Sequence, residues 1–332
     1  ATLMEVCGTH TVAIARNGLR SMMPEGTRLA SGPGCPVCVT SNKDIDTVIA
    51  LARIPGVKIT TFGDMTRVPG STSSLLKEQA AGRDINIVYS PLDALKIAQE
   101  NPESEVVFVG VGFETTTPLV AMAIKRAQAL GLKNFSVFVA HKNMPNALEA
   151  IVSDPSLKID ALILPGHVST IIGMKPYEFL AQKYGVPGVI TGFEPVDVLQ
   201  GIAMIMRQLH EGRAEIEIAY KRGVEAQGNP IALAAIDEVF ETVDTTWRGL
   251  GLIPQSGYAI REKYKDFDAF KRFQPEVELT QEPKGCRCGD VLRGAMAPNE
   301  CPLFRRVCTP ENPVGPCMVS SEGSCAAYFR YL

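Results

Sequence analysis

Short runs of β-branched and aromatic residues alternate with helix-like patterns over roughly the first 210 residues, and this alternation constrains the fold most. Strands separated by helices are typical of βαβ units, in which successive strands run parallel. The predicted strands lie near Leu3–Val6, Arg28–Ala30, Val57–Phe62, Ile85–Tyr89, Val106–Val111, Phe135–Ala140, Ala161–Leu164 and Gly188–Thr191. The pattern therefore predicts an α/β protein with parallel sheets.

A polar, proline-containing break at 100–104 divides these strands into two equal sets. We therefore expect two doubly wound, Rossmann-like domains at 1–102 and 103–212. A smaller C-terminal domain is predicted at 213–332, where the alternation stops and a Cys-rich tail follows a polar segment around Trp247. A single (β/α)8 barrel is the alternative for the first part, but the linkers look uneven and the tail still requires its own domain.

Composition and charge exclude several classes of protein. The chain is 45% hydrophobic and 21% charged, which is typical of a globular protein. A net charge of -3 and a pI near 5.9 argue against nucleic acid as a partner. No apolar run is long enough to span a membrane, and no signal peptide is visible, so we expect a cytoplasmic protein with no membrane partner. Because the sequence does not begin with methionine, we also expect a leading segment before Ala1.

Six of the nine cysteines fall within the last 47 residues, with the irregular spacing Cys286-x-Cys288-x12-Cys301-x6-Cys308-x8-Cys317-x7-Cys325. In a reducing cytosol, clustered thiols indicate metal binding or redox chemistry rather than a disulfide scaffold. The gaps match neither zinc ribbons nor the ferredoxin pattern, which favours a nonstandard iron-sulfur site over structural zinc. Spacing alone leaves the ligand set open.

Distinctive motifs follow directly after predicted strands. They are Cys7-Gly8-Thr9-His10, Gly32 to Cys38, Gly63-Asp64-Met65, Gly112-Phe113-Glu114, His141-Lys142-Asn143, Pro165-Gly166-His167 and Gly192-Phe193-Glu194. In open parallel sheets, ligands bind outside the carboxyl ends of the strands. The sequence therefore predicts a cleft between two such edges that holds thiols, histidines and glutamates.

The Cys35-Pro36-Val37-Cys38 segment has the spacing of a redox dithiol or of half a zinc site. We expect a helix to begin a few residues later, where its N-terminal dipole favours thiolate. Cys7 precedes His10 by three residues, so an imidazole could hold Cys7 as thiolate or relay a proton. A buried, inert cysteine is the alternative for Cys7.

Other arrangements remain open on residue types alone. A cysteine hydrolase would use Cys7 and His10 with Asn143 or Asp64 as the orienting group. Glu114 follows a strand and is either a catalytic carboxyl or a helix cap. His141 and His167, which follow strands, are better candidates than His210, which lies near a helix C-terminus. The turn from Gly110 to Thr115 resembles a phosphate loop only loosely, because it lacks the third glycine of the dinucleotide fingerprint, and no segment matches G-x-x-x-x-G-K-[ST].

Taken together, the motifs resemble the HypD family of [NiFe]-hydrogenase maturation factors. The resemblance covers the whole chain and rests on Cys7 to His10, Gly32 to Cys38, Gly112 to Pro118, Pro165 to Ser169, Gly192 to Glu194 and the tail from Gly285 to Cys325. It implies a scaffold on which Fe(II) acquires two cyanides and one CO. It also implies a HypC-type chaperone, a HypE-type cyanide donor and, indirectly, the hydrogenase large subunit as partners.

The resemblance further implies a [4Fe-4S] cluster in an environment similar to that of ferredoxin:thioredoxin reductase, and it favours particular residues for each role. Cys7, Cys35 and Cys38 would hold the iron under assembly, with His10, Glu114 and His167 handling protons or orienting ligands. The expected cluster ligands are Cys286, Cys301, Cys308 and Cys325. Cys288 and Cys317 would form a redox pair beside the cluster. An iron-sulfur thiol-disulfide oxidoreductase is the alternative function.

Overall fold

The computed structural model describes residues 1–332. All strands predicted from the alternating pattern are present in it, with ends that differ by only a few residues. The strands, in chain order, are β1 (Thr2–Glu5), β2 (Arg28–Ser31), β3 (Val57–Thr61), β4 (Asp84–Ile87), β5 (Glu105–Gly110), β6 (Phe135–Val139), β7 (Ala161–Pro165), β8 (Gly188–Thr191), β9 (Ile216–Ile218), β10 (Phe240–Trp247) and β11 (Gly251–Ile260).

Helices connect the strands and then dominate the tail. The α-helices are α1 (Gly8–Arg16), α2 (Pro36–Val39), α3 (Asn42–Arg53), α4 (Gly63–Arg67), α5 (Leu75–Ala80), α6 (Pro91–Glu100), α7 (Thr117–Ala129), α8 (Met144–Val152), α9 (Gly166–Ile172), α10 (Glu178–Tyr184), α11 (Pro195–Glu211), α12 (Pro230–Val239), α13 (Ala269–Phe273), α14 (Cys288–Leu292), α15 (Pro316–Val319) and α16 (Ser324–Tyr331). None of the helices combines the length and the apolar character that crossing a membrane requires.

The strands form two open parallel sheets, which confirms the α/β prediction and excludes the barrel. Sheet I has the order β2-β1-β7-β8-β9, and sheet II has the order β4-β3-β5-β6. In sheet I, Leu3 pairs with both Leu29 and Ala161, so β1 lies between a strand close in sequence and one far away. Helices cover the sheets, and the central strands carry continuous apolar runs such as Val106 to Val109, all fully buried.

The sheets do not divide at residue 102 as the sequence predicted. The chain leaves sheet I after β2, builds all of sheet II, and returns to sheet I at β7. The polar break at 100–104 lies inside sheet II, between α6 and β5. The alternation of apolar runs identifies which segments are strands, but it carries no information about which strands pair.

Residues after β9 form an antiparallel hairpin, β10–β11, that the sequence pattern did not indicate. Its pairing shifts register between Val243 and Thr245, which disrupts the alternation expected of a regular strand. Strand β10 ends at Trp247, which is fully buried and donates its indole N–H to Ser256 Oγ at 2.8 Å. The Cys-rich tail follows as short helices and turns.

Candidate metal and redox site

The carboxyl ends of strands from both sheets border one cleft of about 340 Å³. Sheet I contributes the residues after β1 and β7, and sheet II contributes those after β5. The residues that line this cleft include Cys7, Thr9, Pro36, Thr115, His167 and Glu322. The structure thus brings Cys7, His167 and the Cys35–Cys38 segment to one place, as the edge rule for parallel sheets predicts.

Cys7 occupies the N-cap position of α1 and is 8% exposed. Its backbone N–H donates to Glu5 Oε2 at 3.2 Å, and the Thr11 hydroxyl donates to the other oxygen of the same carboxyl at 2.6 Å. Burial, reinforced by the negative charge of Glu322, raises the pKa of the Cys7 thiol to about 12. At neutral pH the thiol is therefore protonated, and a bound metal ion would supply the positive charge that favours thiolate.

His10 does not contact the thiol in the way that the sequence suggested. Its Nε2 lies 2.9 Å from Gly192 O and 2.8 Å from Thr191 Oγ1, at the end of β8. Burial lowers the pKa of His10 to about 4, so the imidazole is neutral. The structure gives His10 a place between α1 and sheet I, with no hydrogen bond to Cys7.

Close backbone packing holds the Cys35 segment against Cys7. A Cβ on Gly34 would lie 2.2 Å from Cys7 N and 2.3 Å from Cys7 Cα, so only glycine fits there. The Gly8 N–H donates to Gly34 O at 3.0 Å. The loops after β1 and β2 therefore pack backbone against backbone, and Cys35 directly follows the contact at Gly34.

Cys35 and Cys38 form a disulfide whose Cα atoms are 5.2 Å apart. Cys35 is the N-cap of α2, where its sulfur accepts the Cys38 N–H at 3.1 Å. Both side chains are buried, and Pro36 is the part of this segment that reaches the cleft. Helix α2 packs against α15, which carries Cys317. This contact supplies the connection between the two sulfur regions that the sequence could not show.

Five tail cysteines line a single small cavity: Cys286, Cys288, Cys301, Cys308 and Cys325. Gly315 lies over it, because a Cβ at this position would be 2.7 Å from Cys286 Sγ and 2.8 Å from Cys288 Sγ. Five cysteine sulfurs around one cavity are the donor type that an iron-sulfur cluster requires, and a side chain at position 315 would collide with two of them. No group of three or more Cys, His, Asp or Glu side chains is already arranged to hold a single metal ion.

Cys317 is fully buried and lies outside the cavity wall, next to Cys288 and Cys325. The thiol of Cys317 lies beside those of both Cys288 and Cys325, so it neighbours its expected redox partner and one expected cluster ligand alike. Both are free thiols. Hydrogen bonding to Cys288 and burial raise the pKa of Cys286, while the nearby Arg248 charge acts in the opposite direction. Cys288 thus contacts both the expected ligands and the expected redox partner.

Glu114 and His167 occupy different surroundings. Glu114 is buried, its Oε1 accepts the Met144 N–H at 2.9 Å, and its Oε2 has no partner. Burial raises the pKa of Glu114 to about 7. The carboxyl lines a separate pocket and not the Cys7 cleft. His167 lines the cleft and stacks on Phe193 with centroids 3.8 Å apart. Partial burial lowers the pKa of His167, so the ring is a neutral proton acceptor at neutral pH.

Glu322 is a cleft residue that sequence reasoning missed. Its Oε1 accepts the Thr9 hydroxyl at 2.8 Å, and its negative charge contributes to the raised pKa of Cys7. It reaches the cleft from the turn between α15 and α16, more than 300 residues along the chain from Cys7. The residue lies within a motif quoted for the family resemblance, but an isolated glutamate between two cysteines carries no signal of this contact.

The raised pKa of Cys7 predicts slow alkylation by iodoacetamide at pH 7. Because only the thiolate reacts, the rate should increase about tenfold per pH unit between pH 7 and 10. Glu322→Gln removes a negative charge beside the sulfur and should lower this pKa, so Cys7 should react faster at any pH in that range. Mass spectrometry of the Cys7 peptide measures the rate, with the exposed Glu311→Gln as the control. An unchanged or slower rate in Glu322→Gln would contradict this electrostatic coupling.

The fold and site define an α/β protein with a buried thiol at a cleft, a dithiol segment beside it and a Cys-lined cavity in its tail. A family model described as "HypD: Hydrogenase formation hypA family" matches residues 1–332. The chain is 51% identical over 336 residues to the hydrogenase expression/formation protein HupD of Azotobacter chroococcum mcd 1, covering 99% of this chain and 89% of that protein.

Other relatives agree. The hydrogenase maturation factor HypD of Azotobacter vinelandii is 50% identical over 336 residues, covering 99% of this chain and 89% of its own. HypD of Escherichia coli (strain K12) is 45% identical over 330 residues, covering 99% and 88%. The chain therefore belongs to the HypD family of hydrogenase maturation factors.

Proposed function

We propose that this protein is the scaffold on which an iron ion receives two cyanides and one CO before delivery to a [NiFe]-hydrogenase. The observation that carries the proposal is the position of Cys7, at a cleft between two sheet edges and against the loop that leads into Cys35. Fe(II) with strong-field ligands favours soft thiolate donors. Cys7 is the first iron ligand, and its proton leaves as the metal binds.

A second sulfur ligand is needed to hold the iron. Opening the Cys35–Cys38 disulfide takes two electrons and two protons and yields two thiols beside the Gly34 contact with Cys7. A thiolate from a HypC-type chaperone is the other source. His167 faces the cleft as a neutral ring and accepts protons released there, while Glu114 and His10 act through the backbone around the site.

The tail provides reducing equivalents in this proposal. Cys286, Cys301, Cys308 and Cys325 would hold a [4Fe-4S] cluster, which supplies single electrons when bound. The neighbouring thiols of Cys288 and Cys317 are the proposed redox pair next to it. The packing of α15 on α2 supports transfer from this pair to the Cys35–Cys38 disulfide.

The partners follow from the same role. A HypC-type chaperone docks at the cleft, a HypE-type protein donates cyanide, and the hydrogenase large subunit receives the finished iron group through the chaperone, all in the cytoplasm. The printed names of the relatives, hydrogenase maturation factors, support a role in this machinery.

An anaerobic purification together with the HypC-type and HypE-type proteins tests the scaffold. We expect cyanide and CO stretching bands in the infrared spectrum, with iron and acid-labile sulfide in the preparation. A colourless preparation that contains zinc and no sulfide would show a structural zinc protein instead. A preparation with iron and sulfide but without infrared bands would be consistent with the cluster and would refute the scaffold proposal.

A thiol-disulfide oxidoreductase is the second candidate, and the buried Cys35–Cys38 disulfide beside α15 favours it. This function predicts cluster-dependent reduction of a generic protein disulfide, measured with insulin as substrate. Because neither sulfur of the pair lines the cleft, a large protein substrate would need the α2 segment to move. The absence of any such turnover would exclude this candidate.

A further inference from the structure

The turn of the hairpin β10–β11 lies between the two sulfur regions. On one side it contacts the segment that follows Cys38. The Arg248 backbone N–H donates to Val39 O at 2.9 Å, its Nε donates to Thr40 O at 3.0 Å, and Thr40 also forms an isolated antiparallel bridge with Trp247. The hairpin therefore holds the C-terminal end of α2, the helix that contains Cys38.

On the other side the same turn contacts the first tail helix. A Cβ on Gly249 would lie 2.3 Å from Gly289 Cα, so the turn and helix α14 are in backbone contact through these two glycines. Gly289 follows Cys288 directly. Arg248 Nη1 also lies 3.3 Å from Glu282 Oε2, on the segment that leads to Cys286. One short turn thus contacts α2 and the chain on both sides of Cys286.

The turn is built to be rigid. Arg248 is 4% exposed and Trp247 is fully buried, stacked on Phe113 at 5.9 Å between ring centroids. The Arg248 guanidinium also bonds to Asn42 Oδ1, at the start of α3. A buried guanidinium with several fixed acceptors resists displacement, because moving it would leave a buried charge without its partners.

We propose that the Trp247–Gly251 turn is a positioning bridge that fixes the Cys35–Cys38 helix relative to Cys286 and Cys288, with Arg248 and Gly249 as its positioning residues. Its purpose rests on the proposed redox role of the tail, because electron and thiol exchange require a fixed separation between the two sulfur regions. The bridge itself is a property of the chain and is testable without a cluster.

Two glycines of the turn provide a matched test. Gly249 and Gly251 both have φ of +79°, so alanine is strained equally at either position. A Cβ on Gly249 strikes Gly289, whereas nothing lies within 4 Å of a Cβ on Gly251. Any difference between Gly249→Ala and Gly251→Ala therefore reports the contact and not the backbone strain.

Hydrogen exchange followed by mass spectrometry on the full chain measures the effect. We expect Gly249→Ala to speed amide exchange by about tenfold in both 36–40 and 286–292, with Gly251→Ala close to wild type there. Exchange in sheets I and II serves as the folding check. Equal exchange in the two variants, or an effect confined to 286–292, would overturn the bridge.

The disulfide equilibrium tests Arg248 by a readout that a loss of general stability does not move. Arg248→Gln should shift the Cys35–Cys38 pair about tenfold toward the dithiol against a dithiothreitol buffer, because Thr40 O, at the C-terminal end of α2, loses the Arg248 Nε donor that holds it. Arg248→Lys, which keeps a positively charged donor, should retain most of the wild-type disulfide equilibrium. Arg261→Gln, at the far end of the hairpin, should behave as wild type. An unshifted Arg248→Gln equilibrium would refute the positioning role, whereas failure of the scaffold would appear only in the infrared spectrum.

Discussion

Replacing Cys7 with alanine is expected to abolish the cyanide and CO infrared bands of the anaerobic preparation. Cys7 is the one free thiol that lines the cleft, and alanine offers no donor to iron. The side chain is small and 8% exposed, so the variant should fold and should still bind a HypC-type partner. Infrared spectroscopy on the co-purified complex, normalised to protein, is the measurement.

Two variants control this result. Thr170→Ala changes a cleft residue whose hydroxyl donates only to His167 O at 2.7 Å, and it should leave the bands intact. Cys7→Ser keeps the size of the side chain but replaces the soft donor with a hard one, and it should lose most of the signal. Bands of normal intensity in Cys7→Ala would remove Cys7 from the iron site and overturn the scaffold proposal.

Replacing Cys301 with serine is expected to bleach the broad visible absorption of the proposed [4Fe-4S] cluster while the sheets remain folded. Cys301 lines the cavity under Gly315 and is partly exposed, so the substitution removes one ligand without opening a large void. Visible absorption and sulfide content measure the cluster, and far-UV circular dichroism measures the fold. Retained absorption in this variant would exclude Cys301 from the ligand set.

Cys317→Ser is the matched control, because Cys317 is a tail cysteine outside the cavity wall. It should keep the absorption and lose only the redox partner of Cys288. Cys288→Ser separates the two roles further, since Cys288 lines the cavity and also lies beside Cys317. Loss of the cluster in Cys288→Ser would move Cys288 from the redox pair into the ligand set.

Much of the fold was predictable because strand formation depends on local sequence. Apolar β-branched runs indicated the strands of both sheets, and the rule for parallel sheets correctly placed Cys7 and His167 just after strand ends that border one cleft. The sequence assigned the two residues to different domains, whereas the structure has both on sheet I. The pairing of β1 with β7 was not predictable, because apolar strands of similar length can pair in many orders. Register and partner are set by packing between segments that are distant in sequence.

The spacing of Cys7 and His10 shows why a site cannot be read from sequence separation alone. Residues three apart share a helix face only if both are helical. Cys7 is the N-cap, with extended φ of −147° and ψ of 129°, so its side chain leaves the backbone in another direction. His10 instead follows the helix face toward β8. Glu322 shows the opposite case, in which a residue with no local pattern reaches the site through tertiary packing.

The interrupted path of sheet I has a consequence for biosynthesis. Strand β1 needs β7 as its inner neighbour, and their pairing joins Leu3 to Ala161. Sheet II, in contrast, is complete once β6 has left the ribosome. During translation β1 can pair with β2 at once, but it lacks its other neighbour until the return strand β7 emerges. The cleft beside Cys7, which includes residues that follow β7, is therefore completed only after the neighbouring sheet has been synthesised.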